Sequence, residues 1–109
     1  MKKLLISSMV LLATTACQSS ADNVVQEVAD AIAMNDYRLY QEPVRGEPIP
    51  GLDYKLWDKA RALCGVKIIQ DITDFVQNDQ DMQDRIQRVK HAEEYNKLMY
   101  KACTDTRSK

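Results

Sequence analysis

The chain has 109 residues, with 15 basic against 16 acidic side chains and one histidine, so its formal charge is −1. That length supports one small domain with one modest core. The charge balance offers neither the basic face that nucleic acid requires nor a polybasic tract for an anionic membrane surface.

Residues 1–17 run from a basic head, Lys2 and Lys3, through an apolar stretch at 4–12 to Thr14-Thr15-Ala16 and then Cys17. Basic, then apolar, then small is the order of a bacterial secretory signal, and the apolar part falls short of the ~20 residues a bilayer span needs. Two cleavage sites are readable: one before Cys17, the other after Ala21, where Ser19 and Ala21 form a small-x-small pair. Thr14-Thr15-Ala16-Cys17 resembles a bacterial lipoprotein signal, departing from it at Thr14, where that family usually carries Leu. The resemblance implies a signal peptide at 1–16, an acylated Cys17 as the new N-terminus and a polar tether at 17–21. Gln18, standing where an aspartate would favour inner-membrane retention, implies an outer-membrane anchor facing the periplasm. Cleavage after Ala21 would instead give a soluble periplasmic protein. Counted from Cys17 the chain has 93 residues, and losing Lys2 and Lys3 takes its charge to −3.

Residues 22–109 read as one helical domain. Asn23 with Gln26 has the form of a capping box, and Val25, Val28, Ile32 and Leu39 recur on one stripe, predicting a first helix over 23–40. Asn35 interrupts that stripe. Residues 41–52 hold all three prolines, Pro43, Pro48 and Pro50, together with Gly46 and Gly51. Neither a helix nor a central strand passes through such a segment, so a semi-extended loop is predicted. A second helix is predicted over 53–78 from the spacing of Trp57, Ala60, Cys64, Ile68, Ile72 and Phe75, with Gly65 as its point of bending or breakage. A third, over 79–103, rests on the acid-before-base pairs Asp81/Arg85, Asp84/Arg88 and Glu93/Lys97. Its apolar stripe is thinner: Met82, Ile86, Val89, Ala92, Tyr95 and Met99. The fold class expected is all-α, a small three-helix bundle, or a four-helix one if the second helix breaks at Gly65.

With Cys17 acylated or removed, Cys64 and Cys103 remain, and an even pair in an exported chain predicts a disulfide. In a straight antiparallel hairpin turning at Asp79 these two would be offset by about 13 Å along the axis. A disulfide tolerates Cα separations of about 7 Å at most. The bond therefore demands a bend, at Gly65 or near Asn96.

Catalytic signals are sparse. His91 is the sole histidine, and the run to Tyr95 lacks the second histidine of the zinc-binding helix pattern. There is no phosphate-binding glycine loop and no Cys-x-x-Cys pair. No enzyme, metal or cofactor is expected. The positive signal is aromatic. Tyr37, Tyr40 and Tyr54 flank the proline loop, whose Arg45 stands between Glu42 and Glu47, and tyrosine is at home in interfaces. These four residues are the candidate partner contacts. Trp57 reads as a core residue or as an exposed anchor. The expected function is protein binding in the cell envelope, as an immunity or exclusion-type inhibitor, by likeness of size and architecture. A pilotin-like or structural assembly lipoprotein is the alternative. The expected partners are the membrane, through the lipid, and an envelope protein.

Overall fold

The structure, a computed structural model, describes residues 20–70 and 76–108, with side chains from Asn23 onward. The expected leader at 1–16 and the acylation site Cys17 lie outside the described residues, as do Ile72 and Phe75. The element order is α1 (Ser20–Ala33), β1 (Leu39–Gln41), a 3-10 turn (Tyr54–Leu56), α2 (Trp57–Leu63), β2 (Val66–Ile68) and α3 (Asp79–Arg107). The chain is mostly helical and is closed by a Cys64–Cys103 disulfide. It is not purely helical: β1 and β2 pair in parallel, in the register Leu39↔Val66, Tyr40↔Lys67, Gln41↔Ile68. With α2 between them they form a β-α-β unit where sequence periodicity predicts the end of one helix and the middle of the next.

Both changes from helix to strand are made by a residue in the left-handed region. The first helix ends at Ala33, well before residue 40, and Asn35 closes it with φ 60°. Asn35 N–H donates to Ile32 O at 2.8 Å and Asp36 N–H to Ala31 O at 2.9 Å, the paired bonds of a Schellman cap. The residue that interrupts the apolar stripe is therefore the stop signal. α2 ends on Gly65, φ 82°, whose N–H is shared between Ala60 O and Arg61 O. Glycine enters that region without Cβ strain, and the β-branched Val66, Ile68 and Ile69 then suit a strand. Among the described residues, the helix expected over 53–78 is thus a 3-10 turn, a seven-residue helix and a strand.

The flanking helices differ from expectation in detail. α1 begins at Ser20, so Asn23 lies inside it; it buries Val24 and Val28 while Val25 is 55% exposed. α3 is a 29-residue helix whose N-cap, Asn78, accepts the Asp81 N–H at 2.8 Å. It runs unbroken through Asn96, so the turn the disulfide needs is made at Gly65, and the two cysteine Cα atoms lie 6.0 Å apart. The core forms where the second half of α3 meets the other elements. Tyr95, Met99 and Cys103 are fully buried there with Val24, Leu39, Ile49 and Ala60. The first half of α3 leaves Met82 and Ile86 exposed.

The disulfide spans a sequence separation of 39 residues and joins the end of α2 to the last turns of α3. Replacing both cysteines by serine should lower stability by about 4 kcal/mol in the chain-entropy model, and the melting temperature by about 15 °C or more. Thermal unfolding of the variant against the oxidised protein measures this. An unchanged curve would mean the crosslink constrains nothing.

Candidate functional site

The proline loop is positioned by one buried side chain. Asn96 is 0% exposed. Its Oδ1 accepts the Tyr40 N–H at 2.8 Å, and its Nδ2 donates to Tyr40 O at 2.9 Å and to Pro50 O at 2.8 Å. The amide occupies the outer edge of β1 as a neighbouring strand would, and it holds the far end of the loop. Ile49 beside it is fully buried. Gly51, φ 89°, lies so close to α3 that a Cβ there would stand 2.6 Å from the Glu93 carbonyl oxygen. At the near end, Glu42 N–H donates to Pro48 O at 2.9 Å, while Arg61 donates to Gln41 Oε1 and to Glu47 O. Both shoulders of the loop are fixed. The turn between them, closed by Glu47 N–H to Val44 O, leaves Arg45 exposed.

Of the four expected partner contacts, Arg45 and Tyr54 reach the surface, Tyr54 being 68% exposed. Tyr37 and Tyr40 do not join them. Tyr37 is buried, with the Arg107 guanidinium 4.9 Å from its ring centroid. Tyr40 is half-buried, and its hydroxyl donates to Glu27 Oε2 at 2.7 Å. Trp57 lies at the margin of the core, its Nε1 donating to Leu52 O at 3.1 Å.

Tyr40 instead belongs to a polar cluster that ties α1, β1, β2 and α3 together. Glu27 on α1 meets Tyr40 through one oxygen and, through the other, His91 Nε2 at 2.6 Å. Lys67 Nζ donates to Tyr95 OH at 3.2 Å and lies 4.7 Å from the Tyr40 ring centroid and 4.8 Å from that of Tyr95. Burial, with the Glu27 carboxylate beside it, pushes the Tyr40 phenol up, and burial likewise pushes Tyr95 up to about 12. Both phenols therefore stay protonated at neutral pH. Below them, Arg38 holds Asp36 through Nε at 2.9 Å and Nη2 at 3.1 Å. Those bonds lower the Asp36 carboxyl to about 2.

Two surface depressions adjoin these groups. One, of about 420 Å³, opens beside Tyr40, Ile69, Asp84, Gln87, His91 and Ala92. The other, of about 400 Å³, lies along α3 over Met82, Ile86 and Val89, next to the Arg85–Glu42 ion pair at 3.4 Å. Among the described residues no group of His, Cys, Asp and Glu is arranged to hold a metal ion, and no helix is long and apolar enough to cross a membrane. The sequence offers Asn96 only as a place where the third helix could bend. It does not mark the His91–Glu27 pair, whose partners are 64 positions apart. Comparison with protein-family models, with curated proteins and with solved structures finds no match.

Asn96→Leu keeps the side chain's branched shape but leaves Tyr40 N–H, Tyr40 C=O and Pro50 C=O without their partner. At about 1–3 kcal/mol per unsatisfied buried group it should destabilise the fold by roughly 3 kcal/mol or more, read from the denaturant midpoint. Asp36 gives a pH signature. Its folded value, about 2, lies below the ordinary 3.8, so the unfolded chain binds the proton more readily. The resulting stabilisation is complete above about pH 5 and fades as pH falls towards 2. Asp36→Asn should flatten stability against pH in that window alone.

Proposed function

We propose that this chain is a protein-binding module of the bacterial cell envelope, anchored by lipid on Cys17 and facing the periplasm, and that it acts as an inhibitor of the immunity or exclusion kind. The observation that supports this is the fixed loop with Arg45 at its tip. Asn96, Ile49 and Arg61 hold the shoulders in place before any partner arrives. A contact loop already in its bound shape loses little conformational entropy on association. A guanidinium at its tip suits a carboxylate on the partner, which it can meet with two parallel hydrogen bonds.

A pilotin-like role is the second reading, and a different observation favours it. Met82 and Ile86, 43% and 48% exposed, stand with Val89 along one stripe of α3. Such a row suits the apolar face of a partner helix.

Crosslinking in envelopes of the native host, followed by purification of the tagged protein, separates the two. Under the inhibitor reading Arg45→Glu reduces the crosslinked partner by about tenfold or more while thermal unfolding stays as in the parent. Under the pilotin reading Ile86→Asp abolishes the crosslink and Arg45→Glu leaves it intact. Parallel loss of binding and melting temperature in Arg45→Glu would make the loop a structural element. Intact mass of the protein from its host tests the anchor: an acylated chain starting at Cys17 is expected, and a chain starting at Asp22 would replace it with a free periplasmic protein.

A further inference from the structure

Met82, Ile86 and Val89 recur at intervals of four and three, the spacing of a seam along which one helix packs on another. The same line continues to Glu93 and Asn96, and there the chain covers it. Gly51 lies against the Glu93 backbone, and Asn96 is fully buried. Towards the start of α3, Met82 and Ile86 are 43% and 48% exposed. The charges along this length are sorted by sign: Asp79, Asp81 and Asp84 come first, Arg85, Arg88 and Lys90 follow. Several have partners on their own chain. Asp81 accepts the Gln77 N–H at 3.2 Å, Asp84 accepts Gln80 Nε2 at 2.9 Å, and Arg85 meets Glu42. Among the described residues Asp79 and Lys90, both exposed, have neither a hydrogen bond nor an ion pair from their side chains. They stand eleven positions apart, close to three full turns, and so lie on one side of the seam at its two ends.

We propose that this length of α3 pairs with the same length of a second copy of the chain, antiparallel, about a two-fold axis near position 84. Two sets of residues locate that axis independently. Met82 and Ile86 are centred on position 84, so the axis lays Met82 of each copy against Ile86 of the other. Asp79 and Lys90 are centred half a residue further along, so the same axis brings the Asp79 carboxylate of each copy beside the Lys90 ammonium of the other. A two-fold contact makes every such pairing twice. A parallel arrangement would set Asp79 on Asp79 and Lys90 on Lys90, where like charges repel. The contact uses about 12 residues of one helix, a length of about 18 Å. That offers less surface than the ~800 Å² per partner of a standard interface, so the dimer is weak in solution. The proposed lipid anchor confines copies to one membrane face and raises their effective concentration.

This contact makes no use of Arg45, and it gives the α3 stripe an occupant other than the partner helix of the pilotin reading. Sedimentation velocity of the purified, disulfide-bonded protein between ~10 μM and ~1 mM should show the mass rising from monomer towards dimer. Asp79→Lys and Lys90→Asp should each weaken association by about tenfold or more, since each turns two attractions into two repulsions. An equal mixture of these two variants should associate as the parent does, because each supplies the charge that the other lacks. A chain carrying both substitutions should do the same. Ile86→Asn should stay monomeric with little change in melting temperature. A monomer throughout the range overturns the assignment, as does association indifferent to both single substitutions or left unrestored by the mixture. Arg45→Glu should dimerise like the parent. Loss of the native partner in that variant, beside a parent that stays monomeric, would sink the dimer and keep the inhibitor reading; a dimer beside an ineffective Arg45→Glu would do the reverse.

Discussion

A single carboxamide ties β1, the far end of the proline loop and α3 to one another. Asn96 is sealed from water and spends its acceptor on Tyr40 N–H and its two donors on Tyr40 O and Pro50 O. Desolvating an amide is costly unless its bonds are made, so only one rotation of α3 about its own axis is acceptable. That rotation also turns Tyr95, Met99 and Cys103 inward. A two-stranded sheet of three-residue strands is marginal by itself. The amide completes it by standing in for a strand along the edge of β1.

The remaining ties reinforce the same junction from other directions. The disulfide fastens the end of α2 to α3, which places Gly65 where β2 can begin. Glu27 reaches from α1 to both Tyr40 and His91, bringing the N-terminal helix onto the sheet and α3 together. Lys67 lies within reach of two aromatic rings and a carboxylate, so its desolvation is offset by cation–π contact and charge. Helix, strand and loop thus share a few polar groups, and the apolar core beneath them stays small.

What the sequence disclosed follows from how local each signal is. The span of α3, the proline loop and the break at Gly65 are set by neighbours a few positions apart, and each is found close to where it was expected. The cysteine pairing crosses a separation of 39 residues and is legible for another reason, that two cysteines are left to pair. The strands are not of that kind. Three residues carry no measurable period, and Leu39 and Ile68 fit a helical stripe as readily as a strand. Their pairing depends on residues 27 positions away in the other strand, as in Leu39 with Val66. The same distance hides the burial of Tyr37 and Tyr40: tyrosines beside a loop look like contact residues until Arg107 and Glu27 arrive from elsewhere in the chain. Asn35 carries two local signals at once. As a gap in a stripe it marks an exposed position, and as an asparagine able to enter the left-handed region it also ends the helix.

The covalent closure of the fold also makes its stability depend on redox conditions. The sheet is short, the core is small, and the bond that holds α2 to α3 exists only where thiols are oxidised. Where thiols are kept reduced, the same junction rests on the apolar core and the Asn96 bonds, and the unfolded chain regains the freedom of the loop that the bond closes. The redox state of its surroundings therefore sets how firmly this chain holds its shape.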